Sequence, residues 1–330
     1  MRVLAGDIGG TKTLLQIAEC TAGRCRPVRE QRFDSGSYDS LSSIVREFLK
    51  AEKKKNIKAA CFGIAGPIRE TAKGQSVKVT NLPWEIHGQQ LKPRFKLPRL
   101  RLINDFQAVC FGIEALGKKD LVVLQKGRPV RRGPRVVIGA GTGLGQGLLI
   151  WNQDHYAPIA TEGGHANFSP TDELQIDLTR HLLKTAGRTS WELVLSGHGL
   201  VRLYTFLKER GEFPETSPLS VAMKNGDAAA AITHAALEQN DALANQALNL
   251  FVDIYGAQAG NLALTAGATG GIYVAGGIAP KIISRLTDGR FMRAFRNKGK
   301  MSPYVTAIPV RVVLNPNVGL MGAVRVASRL

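Results

Sequence analysis

Aromatic residues make up only 6% of this 330-residue chain, cysteine occurs four times, and acids (Asp+Glu 26) are far outnumbered by bases (Lys+Arg 44). Long apolar runs are also missing; none approaches the roughly 18–20 residues that a spanning helix needs. Each shortage excludes something. The last one leaves no candidate membrane span. Cys20, Cys25, Cys61 and Cys110 lie in or beside apolar segments. Their spacing fits neither a zinc site nor a dense disulfide framework, so a reduced, cytoplasmic protein is expected. The N-terminus runs straight into a strand ending at Asp7, and no signal peptide is expected. The acid deficit leaves a formal charge of +18, concentrated at residues 53–55, 92–101, 118–135 and 281–300. Nucleic-acid binders carry such charge, usually with a recognisable module or interleaved aromatics. Neither is present, so the charge reads as a basic solvated surface with a weak pull on polyanions, and no specific nucleic-acid or membrane partner is expected. A hydrophobic content of 44% with 21% charged residues is that of a globular protein, long enough for two domains.

Glycine is abundant, and its placement is informative. Residues 3–18, VLAGDIGGTKTLLQIA, read as a strand, a turn and a second strand. Gly9-Gly10 suits a hairpin turn. A turn without Cβ atoms lets backbone N–H groups approach an anion closely. Two better-known phosphate loops do not fit. A Walker A loop needs a second Gly where Thr11 stands, and a Rossmann turn needs G-x-G-x-x-G followed by a helix. An ordinary structural hairpin would read the same way. The pattern returns, however, at residues 136–150, VVIGAGTGLGQGLLI, again strand, turn and strand. A third version lies at residues 271–283, GIYVAGGIAPKII, where Gly276-Gly277 follows a strand and Pro280 suits a first helical turn. Three glycine turns of this kind suggest a duplicated lobe gripping one nucleotide from two sides.

Between these turns the spacing predicts a helix over 40–55, a buried strand over 59–64 running into Gly66-Pro67, and a loop-rich stretch over 73–90 with strand at 76–80. A strand over 100–103 meets a helix over 106–116 at Asn104-Asp105. That junction is the carboxyl end of a strand, where open α/β sheets present ligands; a plain Asn/Asp helix cap explains it equally. A short strand is expected at 121–124. Glu162-Gly163-Gly164-His165 forms a glycine loop, and an H-E-x-x-H zinc helix is absent. Residues 189–195 feed an amphipathic helix. Two helices are expected within 227–264, broken near Asn240-Asp241. In the second, Leu243, Ala247, Leu250, Ile254 and Ala257 form a stripe that is either core or a dimer face. A last strand over 311–314 and a terminal helix over 319–328 complete an α/β pattern.

In this order, GDIGGTKT, LINDF, GAGTGLGQG, EGGH, VLSGHGL and VAGGIAPK resemble the motifs of the bacterial glucokinase family, within the sugar kinase/Hsp70/actin superfamily of ATP-binding folds. The resemblance runs from Val3 to about Val324. Members of the wider repressor/open-reading-frame/kinase group carry a cysteine-rich zinc motif soon after the EGGH loop. No Cys follows Cys110, so the chain resembles the zinc-free branch. The resemblance implies a two-lobed actin/hexokinase-like (ribonuclease H-like) α/β fold, with duplicated mixed sheets flanked by helices and a cleft between the lobes. It implies a small lobe of residues 1–108 with 312–330, to which the C-terminal helix returns, a large lobe of 109–311, and a homodimer.

The implied activity is phosphorylation of D-glucose by ATP to glucose 6-phosphate, the first step of glycolysis. Phosphoryl transfer needs donors around the phosphates, a metal, an in-line acceptor and exclusion of water. By resemblance Gly6, Asp7, Ile8, Gly9, Gly10 and Thr11 bind ATP, with the N–H groups of Gly9, Gly10 and Thr11 on the β- and γ-phosphates. Gly141, Thr142 and Gly143 close from the second lobe, and Gly276 and Gly277 pack on the adenosine. The resemblance also implies that Asp7 orients Mg²⁺ through water. Lys12 departs from the Asn common in this branch; it either adds charge at the phosphates or faces solvent. Asp105 is the implied general base for the 6-hydroxyl. Asn104, Asp105, Glu162, His165 and Glu192 are the implied glucose ligands, carboxylates suiting hydroxyl donors. Two alternatives remain. One is a kinase of the same fold for another hexose or an amino sugar. The other is a non-catalytic sugar-sensing regulator, which an opening directly on the nucleotide hairpin, without a helix-turn-helix, argues against.

Overall fold

The computed structural model describes residues 1–21, 23–52 and 56–330; the basic run 53–55 falls outside the described residues. The chain divides into two compact units. The first comprises Met1–Lys118, Tyr156–Ala160 and Asn315–Leu330, the second Lys119–His155 and Thr161–Leu314.

The first unit opens with β1 (Arg2–Ile8), β2 (Lys12–Thr21) and β3 (Arg24–Asp34). Helix α1 (Leu41–Lys50) follows, capped by the Ser40 side chain accepting from the N–H of Ser43. It is shorter than the spacing predicted because Leu41, Ile44, Val45 and Phe48 end the buried face. Then come β4 (Ala59–Ile64), a small sheet of β5 (Arg69–Thr71), β6 (Gly74–Lys78) and β7 (Glu85–His87), α2 (Gly88–Arg94) and β8 (Leu100–Asn104). Helix α3 (Asp105–Gly112) passes into a 3₁₀ turn at Ile113–Ala115. The main sheet has the order β3-β2-β1-β4-β8. β1 is antiparallel to β2 and parallel to β4, and β4 is parallel to β8. The C-terminal helix, Val318–Ala327, belongs to this unit, with Leu320, Ala323, Val324 and Val326 sharing a buried cluster with Val3 and Ala5 of β1.

Strand β3 has no counterpart in the sequence reading. Its residues, RCRPVREQRFD, carry Pro27 and four arginines and are mostly exposed. They pair along the whole of β2, with a bulge between Ile17 and Ala18. An edge strand tolerates this composition, because proline and charge on the outer rim discourage further pairing.

The second unit adds β9 (Leu121–Gln125), β10 (Arg135–Ala140) and β11 (Leu144–Asn152); β12 (His155–Thr161) begins and ends in it, while its middle, Tyr156–Ala160, falls in the first. A helical series follows: α4 (Glu173–Ala186), which the sequence reading lacks, α5 (Trp191–Val194), α6 (Gly197–Arg210), α7 (Ser217–Asn225), α8 (Ala228–Glu238) and α9 (Ala242–Thr265). It closes with β13 (Gly271–Ala275), three short helices and β14 (Val310–Val313). The sheet order is β12-β11-β10-β13-β14-β9. β10 is antiparallel to β11 and parallel to β13, which is parallel to β14. The central connectivity therefore repeats that of the first unit, as the recurrent glycine turns imply. Leu243, Ala247, Leu250, Ile254 and Ala257 of α9 are all buried within the protomer. That stripe is core, and the dimer-face option for it falls.

One expectation about cysteine is corrected. Cys20 and Cys25 form a disulfide at the far end of the β2–β3 hairpin, so the fully reduced reading does not hold for this pair; strand pairing brings the two residues opposite each other. Cys61 and Cys110 are free and buried, and burial pushes the Cys110 thiol up to about 12. A disulfide closing so short a loop stabilises by at most about 2 kcal/mol on loop-closure entropy. Adding reductant should therefore move the denaturant midpoint slightly, and Cys20→Ser should abolish that shift. Among the described residues, no helix is long and apolar enough to cross a membrane.

Candidate functional site

Asp7 and the Asn104-Asp105 pair lie at one edge of the first unit. β1, β4 and β8 are adjacent and parallel, with Asp7 opposite Gly63 and Ile64 opposite Asn104. Their carboxyl ends therefore emerge together, which is where a parallel array presents ligand-binding groups. Burial raises the Asp7 carboxyl above its ordinary range, and the Lys12 ammonium pulls it back. Lys12 is exposed, so this attraction across the turn is its visible role.

The β1–β2 turn departs in one detail from the role expected of it. The Gly9 N–H donates to the Lys12 carbonyl at 2.9 Å, closing the turn. That donor is engaged within the turn, so the visible role of Gly9 is to shape it. Among the described residues no group accepts from the N–H of Gly10 or Thr11, and Thr11 is exposed. Gly10 lies against Thr80 and Asn81, where an added Cβ would meet Asn81 Cβ at 3.2 Å.

Asn104 acts as the helix cap that its sequence position also allowed. Its Oδ1 accepts from the N–H groups of Phe106 (2.9 Å) and Gln107 (3.2 Å), and its Nδ2 donates to the Gly66 carbonyl (3.3 Å). Asp105 is the first residue of α3, and its Oδ1 accepts from the Phe106 N–H at 2.8 Å. The cap and the candidate base thus share one donor, which fixes the carboxylate against the start of the helix.

In the second unit, residues 141–143 form the β10–β11 turn. The Gly141 N–H donates to the Gly143 carbonyl, and the Gly197 N–H to the Gly141 carbonyl, both at 2.8 Å. Glu192, on α5, reaches the same turn: its Oε2 accepts from the Leu144 N–H at 3.0 Å. A Cβ at Gly143 would stand 2.5 Å from that oxygen, so any side chain there would push the Glu192 carboxylate off the turn. The other oxygen, Oε1, lies 3.9 Å from His165 Nδ1, and His165 Nε2 lies 3.9 Å from Glu162 Oε2. Glu162, His165 and Glu192 therefore form one cluster, although α5 is far from the glycine loop in sequence. The loop is held in place by Arg188 Nη2, which donates to the His165 carbonyl at 2.9 Å, and by the Trp191 N–H, which donates to the Ala166 carbonyl at 3.0 Å.

Gly276 and Gly277 follow β13, beside the end of β10. Gly276 has φ +85° and lies so close to the Ala140 carbonyl that any side chain would collide with it. Tyr255 of α9 sits beneath this fork, fully buried. Its hydroxyl accepts from the Ala140 N–H (3.2 Å) and lies 3.3 Å from the Ile138 carbonyl and 3.4 Å from the Ala275 carbonyl. It bridges the two strand ends that lead into the glycine turns, and no local sequence signal marks it. Tyr255→Phe would leave the Ala140 N–H buried without an acceptor, at a cost of about 1–3 kcal/mol. Urea denaturation should show that loss with an unchanged slope.

Among the described residues, no group of three or more His, Cys, Asp or Glu side chains could hold a metal by protein ligands alone.

A family model described as Glucokinase matches residues 4–330. A glucokinase of Nostoc sp. (strain PCC 7120 / SAG 25.82 / UTEX 2576) is 43% identical over 343 residues, covering 99% of each chain. One from Synechocystis sp. (strain ATCC 27184 / PCC 6803 / Kazusa) is 42% identical, covering 99% of this chain and 98% of its own. The solved glucokinase of an Antarctic psychrotroph aligns with a TM-score of 0.85 at 30% identity, over 100% of this chain and 99% of that one.

Proposed function

The chain belongs to the glucokinase family, and from that premise we propose how its residues divide the transfer of a phosphoryl group from ATP to glucose. The fold is the α/β arrangement of that family, with mixed sheets flanked by helices. Asp105 accepts the proton of the glucose 6-hydroxyl as that oxygen attacks the γ-phosphorus, and the bond from phosphorus to the bridging oxygen of ADP breaks. Asn104, Glu162, His165 and Glu192 take the remaining hydroxyls. A site that pairs each hydroxyl disfavours an epimer, because a misplaced hydroxyl leaves a buried polar group unpaired. The N–H groups of Gly10 and Thr11 and the Thr11 hydroxyl hold terminal phosphates, Thr142 and Gly143 add donors, and Gly276-Gly277 packs on the adenosine. The observation that carries the assignment is the Glu162–His165–Glu192 cluster beside a glycine turn of the second unit; within the first unit, Asp105 stands at the carboxyl edge of β1, β4 and β8.

Magnesium fits Asp7. Burial makes its negative charge costly, and a nearby cation offsets that cost. A bound Mg²⁺ would neutralise phosphate charge, and Asp7 would orient it through its water shell. Within the same reading the protein is cytoplasmic and a homodimer; sedimentation of the purified chain tests the dimer.

A coupled assay with ATP and Mg²⁺ tests the activity, offering glucose, mannose, fructose, galactose, N-acetylglucosamine or no sugar. Turnover should be strongest on glucose. An absence of turnover with every sugar offered, with ATP still bound, would sink the kinase reading and favour a sensor.

A further inference from the structure

The β1–β2 turn is held from behind by Ser35, which no motif contains. Ser35 follows β3 and is fully buried. Its N–H donates to the Thr11 carbonyl at 3.1 Å, and its Oγ donates to the Gly9 carbonyl at 2.8 Å. The Ser35 Oγ also lies 3.0 Å from Thr13 Oγ1, and Thr13 is buried as well. A hydroxyl has one proton to give, and the Gly9 carbonyl can only accept. The proton order is therefore fixed: Thr13 donates to Ser35, and Ser35 donates to Gly9. Asp34 braces the same corner, its carboxylate accepting from the Gly36 N–H and the Ser37 hydroxyl.

The consequence is geometric. With the Gly9 N–H given to Lys12, and the Gly9 and Thr11 carbonyls accepting from Ser35, the backbone polar groups on either side of Gly10 are fixed from inside. The peptide planes between them are then set, and the N–H groups of Gly10 and Thr11 remain as the uncommitted donors. A nest of this sort binds an anion well only if its donors are oriented before the anion arrives.

We propose that Ser35 is a positioning residue for phosphoryl transfer. It locks the β1–β2 turn in the conformation that presents the Gly10 and Thr11 N–H groups to the nucleotide phosphates. Thr13 supports it by saturating its hydroxyl. This rests on the reading of that turn as a phosphate-binding half-site, and the test separates the two.

The experiment measures equilibrium binding of AMPPNP with Mg²⁺ in the absence of sugar, together with steady-state constants for ATP and glucose. It uses the full chain and its variants Ser35→Ala, Thr13→Val, Thr13→Ser and Thr11→Ala. Losing a buried donor to a carbonyl corresponds to about a tenfold effect. Ser35→Ala should weaken AMPPNP binding and raise the ATP KM by about that factor, with the glucose KM changed less than about twofold. Thr13→Val should have a smaller effect in the same direction, Thr13→Ser almost none. The double variant Ser35→Ala/Thr13→Val should bind nucleotide no worse than Ser35→Ala alone, since the link to the turn is already cut. Thr11→Ala should also weaken nucleotide binding. If Thr11→Ala does so and Ser35→Ala does not, the positioning role is overturned and the half-site reading stands. If neither variant affects nucleotide binding, both are overturned. Equal losses for ATP and glucose, tracking a lower melting temperature, would reduce Ser35 to a stabilising residue and overturn the proposal.

Discussion

Asp105→Asn should lower kcat by roughly 10²–10⁴-fold, the range for loss of a positioned general base, while the protein stays folded. The substitution keeps one bond that positions the side chain. The Asp105 Oδ1 accepts from the Phe106 N–H, a bond that the Asn carbonyl oxygen reproduces. The Asn104 cap is independent of the change, because its Oδ1 serves Phe106 and Gln107 in its own right. What Asn lacks is the charge that draws a proton from the attacking hydroxyl. Glucose affinity should change little, since an amide still offers an acceptor and adds a donor. Asn104→Ala provides the contrast. It removes a cap worth about 1 kcal/mol and should lower the melting temperature by a few degrees, with a smaller fall in kcat. The two effects are read by thermal unfolding beside the coupled assay. A kcat for Asp105→Asn within tenfold of wild type would remove Asp105 from the role of base.

The parts of the structure legible in the sequence are those whose cause is local. Continuous apolar runs flanking glycine give β1–β2 and β10–β11 to within about three residues, because a strand covered on both faces is apolar throughout and a tight turn needs glycine. The break at Asn240-Asp241 is legible because Asp241 caps α9, its side chain accepting from the Ala244 N–H. The capping role of Asn104 was visible for the same reason. Strand β3 was not, because its pairing with β2, not its composition, makes it a strand. Ser35 and Tyr255 were invisible for a related reason. Their partners lie 26 and 115 residues away, at Gly9 and Ala140, and a single long-range hydrogen bond leaves no periodicity. The Cys20–Cys25 bridge belongs with these: two cysteines five apart say little until a hairpin places them opposite each other. The engagement of the Gly9 N–H was not legible either, because glycine spacing reports that a backbone is unencumbered, not which of its donors is already bonded.

Glu192 should show two separable losses, one for each carboxylate oxygen. The Oε2 atom accepts from the Leu144 N–H and so holds the β10–β11 turn, whereas Oε1 faces His165 within the proposed sugar cluster. Glu192→Gln can keep the first bond by directing its carbonyl oxygen at Leu144. The NH₂ group then replaces Oε1, so a sugar hydroxyl loses a charged acceptor and meets a donor. The expected result is a rise in glucose KM of roughly 10- to 100-fold, the scale of a lost hydrogen bond to a charged group, with the ATP KM changed less than about threefold. Glu192→Ala removes both bonds. The Leu144 N–H is then left to water or to nothing, and Gly143 loses the neighbour that restrains it. Both KM values should rise, and the ATP effect should appear in AMPPNP binding even without sugar. The comparison is informative because a residue that served only the sugar would give the same nucleotide affinity in both variants. If Ala and Gln bind AMPPNP equally well, the bond to Leu144 does not shape the nucleotide turn. If Gln leaves the glucose KM unchanged, Oε1 does not meet the sugar. Should both differences appear, one carboxylate links the geometry of the phosphate-facing turn to the occupancy of the sugar cluster. Glucose bound first would then restrain Glu192 and, through it, residues 143 and 144, so that nucleotide binds tighter to the sugar complex than to the free protein.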